Sequence, residues 1–150
     1  VKGKTNFLNI FLRINYLKII MRRIKDWLDQ AEGDLKAAKD LHNTGNYAWS
    51  CFASQQSAEK SLKAIAESLA TPSIGHNLII LISTISKKIE IPISIKSACK
   101  RLNRFYIPTR YPNAFPSGAP IHMYDDEDSI QAIKDAEEVF NFAKKVTKIA

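Results

Sequence analysis

At 150 residues, 45% hydrophobic and 25% charged, with a mean hydropathy of −0.19, five glycines and six prolines, the chain has the make-up of one folded domain, not of a disordered or fibrous polypeptide. A chain of this length buries about two-thirds of the surface its unfolded state exposes, so a stable core needs no disulfide or structural metal. Cys51 and Cys99 form no CxxC pair, and His42, His76 and His122 lack zinc-ligand spacing, so neither a metal site nor a cofactor is expected.

The formal charge of +7 is unevenly spread. Residues 1–30 are net +5, residues 31–90 neutral, residues 91–124 carry five Lys/Arg and no acid, and residues 125–150 are net −3. Two basic blocks flanking a neutral middle suit a polyanion partner, and equally a solvated lysine-rich surface.

Residues 7–20 (FLNIFLRINYLKII) are apolar but interrupted by Asn9, Arg13, Asn15 and Lys18. The stretch is too short and too polar to span a bilayer, and no A-x-A-like cleavage site follows it. A cytoplasmic protein without membrane association is expected. The chain opens on Val1, and Met21 is an alternative initiator. Residues 1–20 therefore read as an appendage before a domain at 21–150: an extra amphipathic helix, a short strand, or a segment upstream of the native start. If ordered, its apolar side chains are expected to cover the domain or a partner chain.

From Met21 onward, Ile24, Trp27, Leu28, Ala31, Leu35, Ala38 and Leu41 recur at threes and fours, the stripe of a helix with one buried face, ending near Gly45. A second helix carries Cys51, Gln55, Ala58, Leu62, Ile65 and Leu69 on one face, with Lys60, Lys63 and Glu67 turned away, and stops before Pro72. Residues 77–88 suit a third helix, because a lone strand would have no partner. Ile95, Ala98, Cys99, Leu102, Phe105 and Tyr106 continue at helical spacing between Pro92 and Pro108. Residues 107–124 (IPTRYPNAFPSGAPIHMY) hold four of the six prolines and form a long loop. Asp125, Asp126, Glu127 and Asp128 then place negative charge at the start of a last helix, and Lys144, Lys145 and Lys148 place positive charge at its end, both signs that suit the helix dipole. The expected fold is all-α, an up-and-down bundle of four to five helices with one long Pro-rich loop before the last helix.

That loop is where chemistry concentrates, since long ordered loops in compact domains are usually functional. Arg110 is a planar cation suited to bidentate contact with phosphate or carboxylate, and Tyr106, Tyr111 and Phe115 flank it. Packing of these rings onto the bundle, with Arg110 paired to Asp125 or Glu138, is the competing reading. Gln55 falls on an apolar face and is expected to tie its helix to another backbone segment such as the proline loop. Lys60 and Lys63 belong to a solvated face that extends toward a phosphate. His76, beside Gly75 at a helix start, caps the helix or lines a pocket. No GxSxG, P-loop, HExxH, paired-carboxylate or GxGxxG pattern occurs, so a self-contained enzyme is not visible.

AEGDLKAAKDL in the first helix, YAWSCFASQQSAEKSLKA in the second, the GHNL turn, RFYIPTRYPNAFP, Tyr124 and an acidic helix start together resemble the HEPN (higher eukaryotes and prokaryotes nucleotide-binding) domain across residues 21–148. Its most specific parts are Gln55, Glu59, Lys60 and Lys63, and Tyr106, Pro108, Thr109, Arg110, Tyr111 and Pro112. The resemblance implies a helical bundle, a homodimer, and a place beside a minimal nucleotidyltransferase in a toxin–antitoxin type two-gene module. It also implies nucleotide or RNA binding, or metal-independent ribonuclease activity through an Arg-x4-6-His motif. Here Arg110 and His122 are separated by eleven residues, a departure that argues against cleavage and leaves binding open.

On that resemblance Arg110 holds a phosphate, Tyr106 or Tyr111 stacks on a base, Thr109 or Asn113 adds a hydrogen bond, and Lys60 and Lys63 extend the surface. The enzyme alternative uses His122 or His76 as acid/base with Arg110. A third reading is a structural dimerisation module whose loop only completes its own core. For the dimer that the resemblance implies, Trp27, Trp49 and the apolar appendage are the expected cover of the subunit interface.

Overall fold

The fold is organised around a slim central helix, Tyr47–Ser68, whose Ala48, Ser50, Ser54, Ser57, Ala58, Ser61, Ala64 and Ala66 are all buried. Small side chains let neighbouring helices approach closely. Two of the serines then bond across the gap: Ser50 Oγ donates to the Ala38 carbonyl and Ser57 Oγ to the Ala31 carbonyl, each at 2.7 Å. The computed structural model describes residues 2–149, with side chains from residue 8 onward. In chain order the elements are α1 (Lys2–Asn43), α2 (Tyr47–Ser68), α3 (Leu78–Ile85), α4 (Ile93–Leu102) and α5 (Asp126–Thr147), with single 3-10 turns at 103–105, 112–114 and 120–122. No strand occurs among the described residues. α2 packs against the other four helices, α4 packs on α5, and α1 on both α2 and α5.

The helix ends follow local chemistry. α1 stops where Gly45 takes φ +76°, a left-handed conformation that other side chains adopt only at a penalty. Asn77 caps α3, its side-chain oxygen accepting from the Ile79 and Ile80 amides at 2.9 and 3.2 Å. At α5 the Asp125 carboxylate accepts from the Asp128 amide at 3.0 Å while Asp128 accepts from the Asp125 amide at 3.2 Å, a capping box with aspartate in the place of the usual glutamate. Arg101 of α4 forks onto Asp135 of α5 at 2.7 and 2.8 Å; the carboxylate is only 1% exposed, so this ion pair fixes the α4–α5 contact.

Residues 2–20 do not form a separate element. From Lys2 they are the first half of the 42-residue helix α1. Of the two covers expected for their apolar side chains, the domain takes up Ile20, which packs on the core, and not Leu8, Phe11 and Leu17, which are 59%, 57% and 58% exposed. Phe7 lies outside the described side chains. No helix among the described residues is long and apolar enough to cross a membrane.

Both cysteines are free and buried. Burial raises their thiols to about 12, with nearby Asp128 and Asp125 contributing at Cys51 and Asp135 at Cys99. The thiolate is the reactive form, so neither cysteine should react with a thiol reagent in the native protein at pH 8. A colorimetric thiol assay should read no free thiol before urea unfolding and two after it. Rapid native labelling would contradict this placement.

Candidate functional site

Three sequence features converge on one side of α2. The first is Glu59, 3% exposed in the middle of the helix. Lys63, one turn on, donates to Glu59 Oε1 at 2.9 Å, and His76 Nδ1 lies 3.0 and 3.1 Å from the two carboxylate oxygens. Gln55 and Gln56 amide groups approach Oε2 at 3.5 and 3.4 Å. Burial works to raise the carboxyl, but hydrogen bonds from Lys63 and His76, and their charges, outweigh it and hold Glu59 below the usual carboxylate range.

A group held low in the folded state contributes stability above its unfolded value, and that contribution is lost as pH falls through the folded one. The urea midpoint of the wild type should therefore drop as pH is lowered below about 4.5, the ordinary value for a glutamate. Glu59→Gln should flatten part of that drop; a wild-type midpoint unchanged between pH 5 and 3 would contradict the arrangement.

His76 is held from several sides although its side chain is 53% exposed. Gly75 (φ +86°) makes the turn that precedes it. Gln55 Nε2 donates to the His76 carbonyl at 3.2 Å, so the buried amide ties α2 to the 73–77 turn and not to the proline loop. The His76 ring stacks on Tyr106, with centroids 4.7 Å apart and planes 14° off parallel. Because Nδ1 faces a carboxylate, it is the ring nitrogen that donates to Glu59, which leaves Nε2 on the far side of the ring. Among the described residues Nε2 has no hydrogen-bond partner.

The third feature is Arg110. Its guanidinium lies 4.4 Å from the Phe52 ring centre, 4.7 Å from Tyr106 and 5.1 Å from Tyr111. Nε and Nη2 both donate to the Tyr106 carbonyl, the former at 2.8 Å, which closes the 106–110 turn. Among the described residues no carboxylate pairs with Arg110, so the expected partnership with Asp125 or Glu138 does not occur. The aromatic cradle and the carbonyl fix the cation while leaving its charge uncompensated by any acid.

The remaining sequence candidates separate. Tyr106 is engaged by both His76 and Arg110, whereas Tyr111 is 47% exposed, the more open stacking surface of the two. Thr109 points inward, 2% exposed, donating to the Phe105 carbonyl at 2.6 Å. Asn113 is exposed on the 112–114 turn. Lys60 and Lys63 are not solvated: Lys60 donates to Asp34 of α1 at 2.6 Å and Lys63 is tied to Glu59. His122 is exposed on the 120–122 turn, with no side-chain hydrogen bond to the cluster.

Glu59 stood out in the sequence only as part of the HEPN-like motif and was given no role, and Phe52 was not singled out. The i, i+4, i+8 spacing of Gln55, Glu59 and Lys63 was the available signal for the first.

Two other places invite attention and do not qualify. His42, Ser129 and Asp126 resemble a nucleophile triad, with His42 Nδ1 3.0 Å from Ser129 Oγ and Nε2 3.6 Å from Asp126. Ser129 is fully buried and donates to Ser50 Oγ at 2.7 Å, so the chain of bonds joins α1, α2 and α5 and offers no accessible nucleophile. An open groove of about 700 Å³ between α1 and α5 mixes Lys36, Lys39 and Lys144 with Asp29, Glu32 and Glu137, and contains no member of the Glu59–His76–Arg110 cluster. Among the described residues no group of His, Cys, Asp or Glu is placed to hold a metal.

The family model for the HEPN domain matches residues 24–146. The chain belongs to the HEPN family. Among solved structures, this HEPN chain is similar to TT1696 from Thermus thermophilus, 34% identical with a TM-score of 0.80 over 83% of this chain and 98% of that one. It is also similar to ST0689, described as an archaeal HEPN homologue, at 32% identity and a TM-score of 0.70 over 81% and 95% of the two chains. A relative from Methanocaldococcus jannaschii named "Putative toxin MJ1304" is 27% identical over 144 residues, 90% of each chain.

Proposed function

We propose that this HEPN protein is a toxin–antitoxin type component that binds the phosphate of a nucleotide or an RNA through Arg110. In this reading Tyr111 stacks on the base, Asn113 adds a polar contact, and a homodimer acts with a minimal nucleotidyltransferase partner. The name carried by the Methanocaldococcus jannaschii relative supports the module. The observation that carries the site is Arg110 itself, a cation braced by three aromatic rings and one carbonyl with no acid beside it. A fixed, unneutralised guanidinium is matched by a phosphate, to which it presents planar donors.

Arg110→Ala should weaken nucleotide affinity by about 10- to 100-fold, the equivalent of a lost charge-assisted hydrogen bond or two. Isothermal titration with adenosine mono-, di- and triphosphate measures it. Equal affinity in wild type and variant removes Arg110 from the site. In this reading Trp49, 49% exposed beside Phe52, is the ring available to a second copy, whereas Trp27 packs on the core beneath Lys63. Sedimentation at micromolar concentration decides the oligomeric state.

The Glu59–His76 pair favours a second reading, metal-independent RNA cleavage with His76 as the proton acceptor. A carboxylate on Nδ1 and an outward Nε2 are what an imidazole base requires. His122 has no comparable support. Chelator-resistant cleavage lost in His76→Ala and retained in His122→Ala would establish this reading; no cleavage by the wild type would end it.

A further inference from the structure

The apolar stripe of α1 runs on past the end of the bundle. Ile24, Leu28, Ala31 and Leu35, at alternating steps of four and three, are buried in the core, and Ile10, Ile14, Leu17 and Met21 continue the same spacing toward the N-terminus with nothing over them. Leu8, Leu12 and Ile19 make a second exposed row on another side of the helix. A helix apolar on two sides suits a seat between neighbouring helices, whereas a membrane surface covers one side and leaves the other in water. All of these exposed residues precede the span 24–146 that the HEPN model matches, so the surface is an addition to the HEPN core.

The second half of α1 offers a place of matching length. Two concavities that share Asp29, Glu32, Phe140 and Lys144 form one open groove between α1 and α5, running along α1 from Leu28 to Lys39. That is about 16 Å of helix, the same span as Ile10 to Met21. Its wall includes Gly33, in mid-helix, where glycine weakens a helix and where an added Cβ would meet only Gln30 Nε2, at 4.0 Å. Packing within one copy does not require a glycine there; a second helix lying close across it does. Charge runs the same way: residues 1–25 hold seven Lys/Arg and no acid, and residues 26–35 hold four acids and no base. Asp26 and Asp29 pair with Arg23 and Lys25 in exposed contacts, and Glu32 has no partner among the described residues. Of the groove's own lysines, Lys39 is paired with Glu137 and Lys144 lies over the Phe140 ring.

We propose that the first half of α1 from a second copy of this chain lies antiparallel in this groove, its residues 10–21 beside residues 24–35, and that the two copies exchange the contact about a two-fold axis. Arg13 and Lys18 then approach Asp29 and Glu32, while the apolar rows rest on Leu35 and Phe140. A parallel pair would instead set the two basic halves side by side. The inference rests on the homodimer of the proposed reading and names the surface that pairs it, the exposed face at Trp49 being the alternative.

The test is sedimentation equilibrium of the full chain, with charge reversed at four exposed positions. One variant carries Arg13→Glu and Lys18→Glu, another Asp29→Lys and Glu32→Lys, and a third all four substitutions. The first two should each show a dimer dissociation constant at least about tenfold above wild type, because each sets like charges together at both copies of the contact, and the third should return to the wild-type value. Gly33→Leu, which fills the groove, should weaken the dimer as much, with circular dichroism showing the helix content unchanged. A dimer indifferent to the charge reversals and to Gly33→Leu, and dissociated by Trp49→Ala, would overturn the groove and leave the homodimer standing. Loss of association in the first two variants without recovery in the third would overturn the antiparallel pairing. A wild type that stays monomeric would overturn the pairing and the homodimer together, and binding of that monomer to vesicles of phosphatidylglycerol and phosphatidylcholine would assign the exposed helix to a membrane surface instead.

Discussion

Replacing Glu59 with alanine should lower the unfolding free energy by about 3 kcal/mol, because it strips the carboxylate from the Lys63 ammonium and the His76 ring at once. Lys63 is held with only 13% of its side chain exposed, partly over the Trp27 ring at 5.4 Å, and Glu59 is the carboxylate it touches. Removal of one member of a buried charged pair leaves the other desolvated, and the full penalty for such a loss is about 3–5 kcal/mol. The lower end applies here, since the Lys63 ammonium can turn toward solvent and His76 is already half-exposed. Glu59→Gln should lose less, because an amide oxygen still accepts from Lys63 and His76. Urea unfolding at pH 7 measures both. A loss below about 1 kcal/mol for the alanine variant would place the cluster among ordinary screened surface pairs.

Leu62→Ala should have an effect of similar size through a different cause. Leu62 is completely buried in α2, in the same core as Leu28, Leu102 and Val139. Deleting the isopropyl end of its side chain removes transfer free energy and leaves a cavity that helices on every side cannot fully close, at about 2–5 kcal/mol. For a chain of this length that corresponds to a fall in Tm of about 10 °C. Leu62→Met, which keeps the volume, should cost about 1 kcal/mol. Calorimetry on the two variants separates cavity formation from general intolerance at this position.

The helices were legible because their cause is local. Apolar residues at threes and fours, the Asp125–Asp128 run, Asn77 and Gly45 each act within a turn or two of chain. The continuity of α1 was also written in the sequence, since no proline occurs before Pro72 and no glycine between Gly3 and Gly33. It was obscured because residues 8–19 expose apolar side chains that a helix normally buries. The site was legible only in parts. Arg110, Tyr111, His76 and Gln55 each stood out, but their convergence depends on how the 73–77 turn and the 106–110 turn pack beside α2. Lys60 illustrates the limit: its periodicity places it away from the apolar face, yet Asp34 lies 26 residues earlier and reaches it only because α1 and α2 pack together. Arg110 failed to find an acid for the same reason, its neighbours being set by the aromatic cradle and not by sequence charge.

The central claim is that Arg110 is an anion site, and a crystal structure with a bound nucleotide or short RNA tests it most directly. A phosphate oxygen should lie about 2.7–3.0 Å from the Arg110 guanidinium, with a base over Tyr111. A ligand seated elsewhere, with Arg110 still bonded only to the Tyr106 carbonyl, would contradict it.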